Sequence, residues 1–266
     1  MAGENAPGGK KKPAAPAMEK TAVKTPAAQA ASAPASALKT DTAEILPQGF
    51  TEITARQVLV ETAGIGTAEF RDAVEALGKK IIADGAEKHE KEMADLLTAA
   101  RRMLDAEKGA TIISVSADAQ FADYIGKHPK AKVRRAEWAF QKLFFLRAFA
   151  LSEKGETAQA LAALDELIKF APYCSDAFCE RGYLLNRDGK PEKALESYQK
   201  AAELAEAYGT ERHNQPVALR GAGFALTSLG KYADARQAYT KSLEFAPGNK
   251  IATDGISALN QLEKKQ

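Results

Sequence analysis

Three pairs of side chains in this sequence have types and spacings that invite chemistry. His89 and Glu92 stand three residues apart, close enough on one helix face to hold a metal ion between them. His213 lies two residues from Glu211, a combination that serves as general base and acid when a cleft brings the two together. Cys174 and Cys179 are the only cysteines, five residues apart and with no histidine nearby. Two thiols without further ligands do not make a zinc site, so they read as small buried apolar side chains. The histidines sit in charged surroundings and read as solvated surface groups. The sequence has no glycine-rich phosphate loop and no nucleophile elbow. We therefore expect no enzymatic activity, no metal and no cofactor.

A different kind of pattern dominates the second half of the chain. Phe144, Ala148 and Leu151 precede Gly155, and Ala160, Leu164, Leu167 and Pro172 follow it. The series recurs as Phe178, Gly182, Leu185, Gly189, Ala194, Tyr198 and Ala201. A third copy runs Leu219, Gly223, Leu226, Gly230, Ala235, Tyr239, Ser242 and Pro247. In each copy the turn glycine precedes the alanine by five residues, and the alanine precedes a large residue by four. Small residues at fixed places let two helices approach closely, glycine permits a left-handed turn between them, and proline marks a helix end.

Gly155 to Gly189 is 189 − 155 = 34 residues, and Ala160 to Ala194 is 34 again. In length and residue types this series resembles the tetratricopeptide repeat family over residues 131–266. The resemblance implies an all-α solenoid of helical hairpins, here three, whose long first helix starts near Ala131. Gly189 to Gly230 is longer, 230 − 189 = 41, and we expect the surplus between Ala205 and Gln215 to add about two turns to the second helix of that repeat. After Pro247, Ile251, Ile256, Leu259 and Leu262 recur at helical spacing, as a helix that seals the stack with a polar outer face.

The first half carries no family signature. Residues 1–46 are rich in Ala, Pro and Lys and poor in core formers, so a disordered tail is expected, with Lys10, Lys11 and Lys12 part of a tether. Residues 47–130 read as a helical module. Ile53, Val58 and Leu59 fit a short helix, and Thr67 can cap a second that buries Phe70, Val74, Leu77 and Ile81. Gly85 interrupts it, and a further helix carries Met93, Leu96, Leu97, Ala100, Met103 and Leu104. This pair either packs over the repeats or supports self-association through residues 50–110. Thr111–Val115 has the β-branched content of a strand but no evident partner, so we read an ordered linker, then a helix capped by Ser116.

The chain has 266 residues, 45% of them hydrophobic, with 37 basic against 35 acidic residues and a net charge of +2. Such a balance supplies no basic stripe for nucleic acid, and no apolar run is long enough for a membrane span. The N-terminus lacks a secretory signal, which makes a cytoplasmic protein the expectation. In the resembled family the inner faces of the first helices receive a peptide. Transferred position by position, that groove comprises Phe145, Phe149, Cys179, Tyr183, Asn186, Arg220 and Phe224, flanked by Lys142, Ser152, Asp176, Val217 and Thr227. A clamp for acidic chaperone tails is not expected, because its positions hold Phe145, Phe149, Glu180, Val217 and Gly221. The function this implies is a scaffold or adaptor, chaperone-like, that binds an apolar peptide. The alternative is an assembly subunit whose repeat face is buried between subunits.

Overall fold

The computed structural model describes residues 64–264. The expectations for the tail at residues 1–46 and for a helix around Ile53, Val58 and Leu59 lie outside these residues. Helix α1 (Ala68–Asp84) starts where Thr67 Oγ1 accepts the Phe70 N–H at 3.2 Å, and it ends at Gly85, whose φ of 87° no β-carbon would favour. Its apolar positions recur every three or four residues, so Phe70, Val74, Leu77 and Ile81 all face inward. After the 3₁₀ turn Glu87–His89, helix α2 (Glu90–Asp105) buries Met93 and Ala100 in the same core. These side chains, which could have formed a self-association seam, are consumed by packing within the chain.

Three expectations for the next segment are corrected. Thr111–Ser114 is strand β1, and its parallel partner is β2 (Val133–Ala136), in register from Thr111 against Val133 to Ser114 against Ala136. Helix α3 (Asp118–Lys127) forms the crossover. With Val133 and Ala136 buried and Ile65 bridging Ala136, the segment after Ala131 is strand from Val133 to Ala136, and the first repeat helix begins only at Trp138. Ser116 does not cap α3 with its hydroxyl; its N–H instead donates to Gln120 Oε1 at 2.9 Å.

Three hairpins follow: α4 (Trp138–Glu153) with α5 (Thr157–Phe170), α6 (Ser175–Arg187) with α7 (Pro191–Ala207), and α8 (Gln215–Ser228) with α9 (Tyr232–Phe245). Helix α10 (Lys250–Glu263) closes the stack, capped by Asn249. Gly155, Gly189 and Gly230 take φ of 77°, 69° and 73° in the three turns, as their recurrence predicts. Close approach is concentrated at two tyrosines. A β-carbon at Gly221 would lie 2.2 Å from the Tyr198 ring and one at Gly255 2.6 Å from the Tyr239 ring, while Gly182 and Gly223 lie beneath the same rings from within their own hairpins.

Helices α1 and α2 stand where one more hairpin would precede the first repeat. The start of α1 lies beside that of α4, with Ile65 bridged to Ala136 and the Phe70 and Phe140 rings 4.6 Å apart. Gly78 lies against Lys142 and Leu146 further along, so the two helices run parallel. The other end of α4 meets the start of α2, through the Lys154–Glu90 ion pair.

The surplus of the second repeat does not add two turns of helix. Helix α7 has 17 residues against 14 in α5 and α9, a gain of 17 − 14 = 3, and Gly209–Asn214 then forms a 3₁₀ turn. The turn is held by polar groups that the sequence alone does not connect. Glu211 Oε2 accepts the Ser175 N–H at 3.0 Å and the Ser175 hydroxyl at 2.6 Å, and Oε1 accepts Gln120 Nε2 at 3.3 Å. Asn214 Nδ2 donates to Ser175 Oγ at 2.7 Å. Beside this cluster, Asp123 Oδ2 receives the hydroxyls of Tyr173 at 2.5 Å and Tyr208 at 3.0 Å. Burial opposes the Asp123 charge, yet bonds from Lys127 and both tyrosines hold its pKa below the usual value. The insert thus fastens α3 to the second repeat.

Glu211→Ala should lower unfolding stability by about 2–4 kcal/mol, because it strands the buried donors of Ser175 and Gln120. Urea denaturation measures this, and a loss no larger than that of an exposed glutamate would contradict it. Gly221→Ala should cost about 1–3 kcal/mol by overpacking against Tyr198, whereas Gly126→Ala, with open space around it, should be neutral or stabilising.

Candidate functional site

The first helices of the hairpins each present one face at spacings of three and four residues. Helix α4 contributes Lys142, Phe145, Phe149 and Ser152. Helix α6 contributes Asp176, Cys179, Tyr183 and Asn186, and α8 contributes Val217, Arg220, Phe224 and Thr227. Their environments differ. Phe145, Phe149 and Tyr183 are half-buried, resting on the main apolar cluster with part of each side chain open. Asn186, Arg220, Phe224 and Thr227 are also half-buried.

Cys179 is a correction to the expected groove. Only 3% of it is accessible, and it packs with Ala201 and Ala218 between α6, α7 and α8. Burial first and the Asp176 charge second push its thiol pKa well up, so it is an inert core side chain. Cys174 is buried and free as well. Ser152 is likewise inside, facing Glu180. Lys142 is partly covered by α1, its ammonium 5.4 Å from the centre of the Trp138 ring, and desolvation lowers its pKa while Glu75 opposes the shift.

The exposed remainder is aromatic and cationic. The Arg187 guanidinium stands 5.5 Å from the Tyr183 ring centre. Arg220 has no ion pair among the described residues, and its Nη1 is buried without a hydrogen-bond partner. Burial depresses its pKa, opposed by the field of Cys179. Asn186 Oδ1 is buried and unpartnered too. Such a face can hold side chains and accept or donate hydrogen bonds.

His213 is exposed, as a surface group should be, and His89 is half-buried. His213 Nε2 lies 3.4 Å from Asp176 Oδ1, and this bond raises the imidazole pKa. Glu211, its near neighbour in sequence, turns inward to Ser175 and Gln120. His89 meets Asp84 at 3.5 Å and Glu92 at 3.9 Å. Among the described residues no three His, Cys, Asp or Glu side chains gather around a common point.

Glu180 was not anticipated. It is 4% accessible, with Ser152 Oγ 3.5 Å from its Oε1, and among the described residues no basic group forms an ion pair with it. Burial, then the nearby Glu153 charge, pushes its pKa up to about 7. Its position corresponds to Gly221 and Gly255 in the later junctions, since 221 − 180 = 41 and 255 − 221 = 34. There a tyrosine ring fills the space, whereas the residue at the tyrosine's place in the first hairpin is the smaller Leu164, since 198 − 164 = 34. The missing glycine was the only trace of it in the sequence.

Hairpins of this length, with a left-handed glycine at each turn and a ring set against glycines of adjacent helices, accord with the match of residues 173–247 to the family model for the tetratricopeptide repeat. Residues 173–247 are tetratricopeptide repeats. Human protein O-mannosyl-transferase TMTC1 is 29% identical over 111 residues, which is 40% of this chain and 12% of that protein's length. Among solved structures, the first tetratricopeptide domain of Spaghetti (RPAP3), bound to an HSP90 peptide, is 20% identical, covering 47% of this chain and 93% of that one at a TM-score of 0.42. A tetratricopeptide repeat protein from Parabacteroides merdae is 18% identical, covering 80% and 73%, at 0.41. The tetratricopeptide architecture is that of a protein-interaction scaffold. Among the described residues no helix is long and apolar enough to cross a membrane.

Glu180 ties scaffold stability to pH. Its ordinary pKa is 4.5 and its folded pKa about 7, so the folded state holds the proton more tightly. Its contribution is complete below pH 4.5 and is lost as pH rises through 7. Glu180→Gln should therefore be more stable than the parent at pH 8, by on the order of 2–3 kcal/mol, with the difference shrinking toward pH 4.5. Thermal unfolding across that range tests this; parallel pH profiles for the two proteins would refute it.

Proposed function

We propose that the tetratricopeptide face binds an apolar peptide segment of another protein, and that the chain works as a chaperone-like adaptor. The observation that carries this reading is the row of half-buried aromatic side chains, Phe145, Phe149, Tyr183 and Phe224, on helices that share one direction. Rings that are neither fully packed nor fully solvated gain most from a partner's apolar side chains, at roughly 25 cal/mol per Å² of area removed from water. The residues at the positions of an acidic-tail clamp favour the apolar reading. Glu180 is itself a buried acid, and Gly221 lies beneath the Tyr198 ring.

Replacing Tyr183 and Phe224 together by alanine should weaken peptide binding about a hundredfold, the loss of about 3 kcal/mol expected for two partly desolvated aromatic contacts. Neither is one of the glycines packed beneath the Tyr198 and Tyr239 rings, and the circular dichroism spectrum should be unchanged. Titration of fluorescent apolar peptides selected on the parent protein measures the affinity. Equal affinity in the double variant would place binding elsewhere.

A further inference from the structure

We propose that the groove between α6 and α8 selects a single acidic side chain, aspartate or glutamate, set within the apolar segment of the partner peptide. This deepens the peptide-groove reading and rests on it. The centre of the argument is Arg220. Its side chain is half-buried, its Nη1 is sealed from solvent, and no acceptor meets that atom among the described residues. A guanidinium carries five donors and cannot shed its charge at physiological pH, so one that is half-buried with no carboxylate partner among the described residues is best satisfied by a ligand acid at the nitrogens that remain open. A carboxylate is the acceptor that fits, since its two oxygens match the guanidinium fork.

The acids already near this face do not fill that role. Asp176 is directed at His213, at 3.4 Å, and Glu211 accepts from Ser175 and Gln120. Glu180 is turned toward Ser152 in the first junction, and its raised pKa leaves part of it neutral near pH 7. Arg187, exposed beside Tyr183, adds a second cation without an ion pair among the described residues. Arg220 and Arg187 thus stand on this part of the groove as two cations without ion pairs among the described residues, and the complementary partner is negative.

The position of Arg220 within α8 separates an internal acid from a free C-terminus. Val217 precedes it by three residues and Phe224 follows by four, so apolar contacts lie on both sides of the guanidinium along the helix. A chain that ended at Arg220 would leave one of those contacts empty. A peptide running through fills both and presents its acid between them.

The test uses the full chain, residues 1–266, and a display library of random dodecamers with both termini blocked. Retained peptides should combine Leu, Ile, Val or Phe with one internal Asp or Glu. Changing that Glu to Gln in a synthetic peptide should weaken binding by at least about tenfold, as removal of one member of a desolvated charge pair does. Arg220→Gln should bind the Glu and Gln peptides equally, and Arg220→Glu should instead prefer a peptide with Lys at that place. The peptide change leaves the protein untouched, so the proposal stays testable even if an Arg220 variant fails to fold. Apolar peptides retained without an acid, or equal affinity of the parent for the Glu and Gln peptides, would overturn the proposal while leaving the apolar groove standing. Acid selection seen only when a library with free carboxyl termini is used would overturn it in favour of tail binding. Retention of no peptide from either library would overturn the groove reading itself.

Discussion

The contact on which the stack depends is the approach of a tyrosine ring to bare backbone on two neighbouring helices. Tyr198 lies over Gly182 of its own hairpin and Gly221 of the next, and Tyr239 repeats the arrangement over Gly223 and Gly255. Each ring therefore joins a hairpin to its successor in one packing event, and a methyl group at the closest point would collide with it. The separation of adjacent first helices follows from the thickness of that ring. So does the spacing of the side chains they present, which makes the width of the groove a consequence of the core.

A solenoid built this way transmits stability only between neighbours. Here the inserted turn Gly209–Asn214 breaks that limitation, because Glu211 joins Gln120, 91 residues earlier, to Ser175 at the start of α6. The carboxylate stands where α6 has orphan N–H groups and no side-chain cap of its own, so one residue both caps a helix and anchors the small sheet unit. The buried charge is tolerable because both oxygens receive donors. Its apolar counterpart is the cluster of Ile113, Val115, Phe121, Val133, Tyr173 and Leu204, which spans the same two units.

The legible parts of the fold were those encoded by residues near in sequence. Turn glycines, ring positions and the α1 face with Phe70, Val74, Leu77 and Ile81 follow from spacing alone. Strand β2 was not legible: Val133–Ala136 holds two arginines in four residues, and its parallel partner lies 22 residues away, beyond any local signal. The insert was misread as helix because Ala205 and Ala207 favour it, whereas Tyr208 leaves the helical region at φ −127° to bring its hydroxyl to Asp123. Groove positions transferred correctly as a helix face, but exposure does not follow from register. Cys179 shares that face with Tyr183 and is nonetheless closed off by Ala201 and Ala218 of the adjoining helices.

The first junction shows why the exception at Glu180 can persist. A buried carboxyl with only a 3.5 Å contact to Ser152 weakens the contact between the first two repeats at neutral pH, and Leu164 offers less area than a tyrosine. In an isolated array this would be the place to part. The same junction, however, is the one bridged from outside by α3, which is held to the second repeat through Glu211 and Asp123 and to the first through the sheet beside α4 and α5. The later junctions have tyrosine packed against glycine. External bracing and internal packing thus substitute for each other along the stack, and the first junction keeps a polar interior because its strength is supplied from the side.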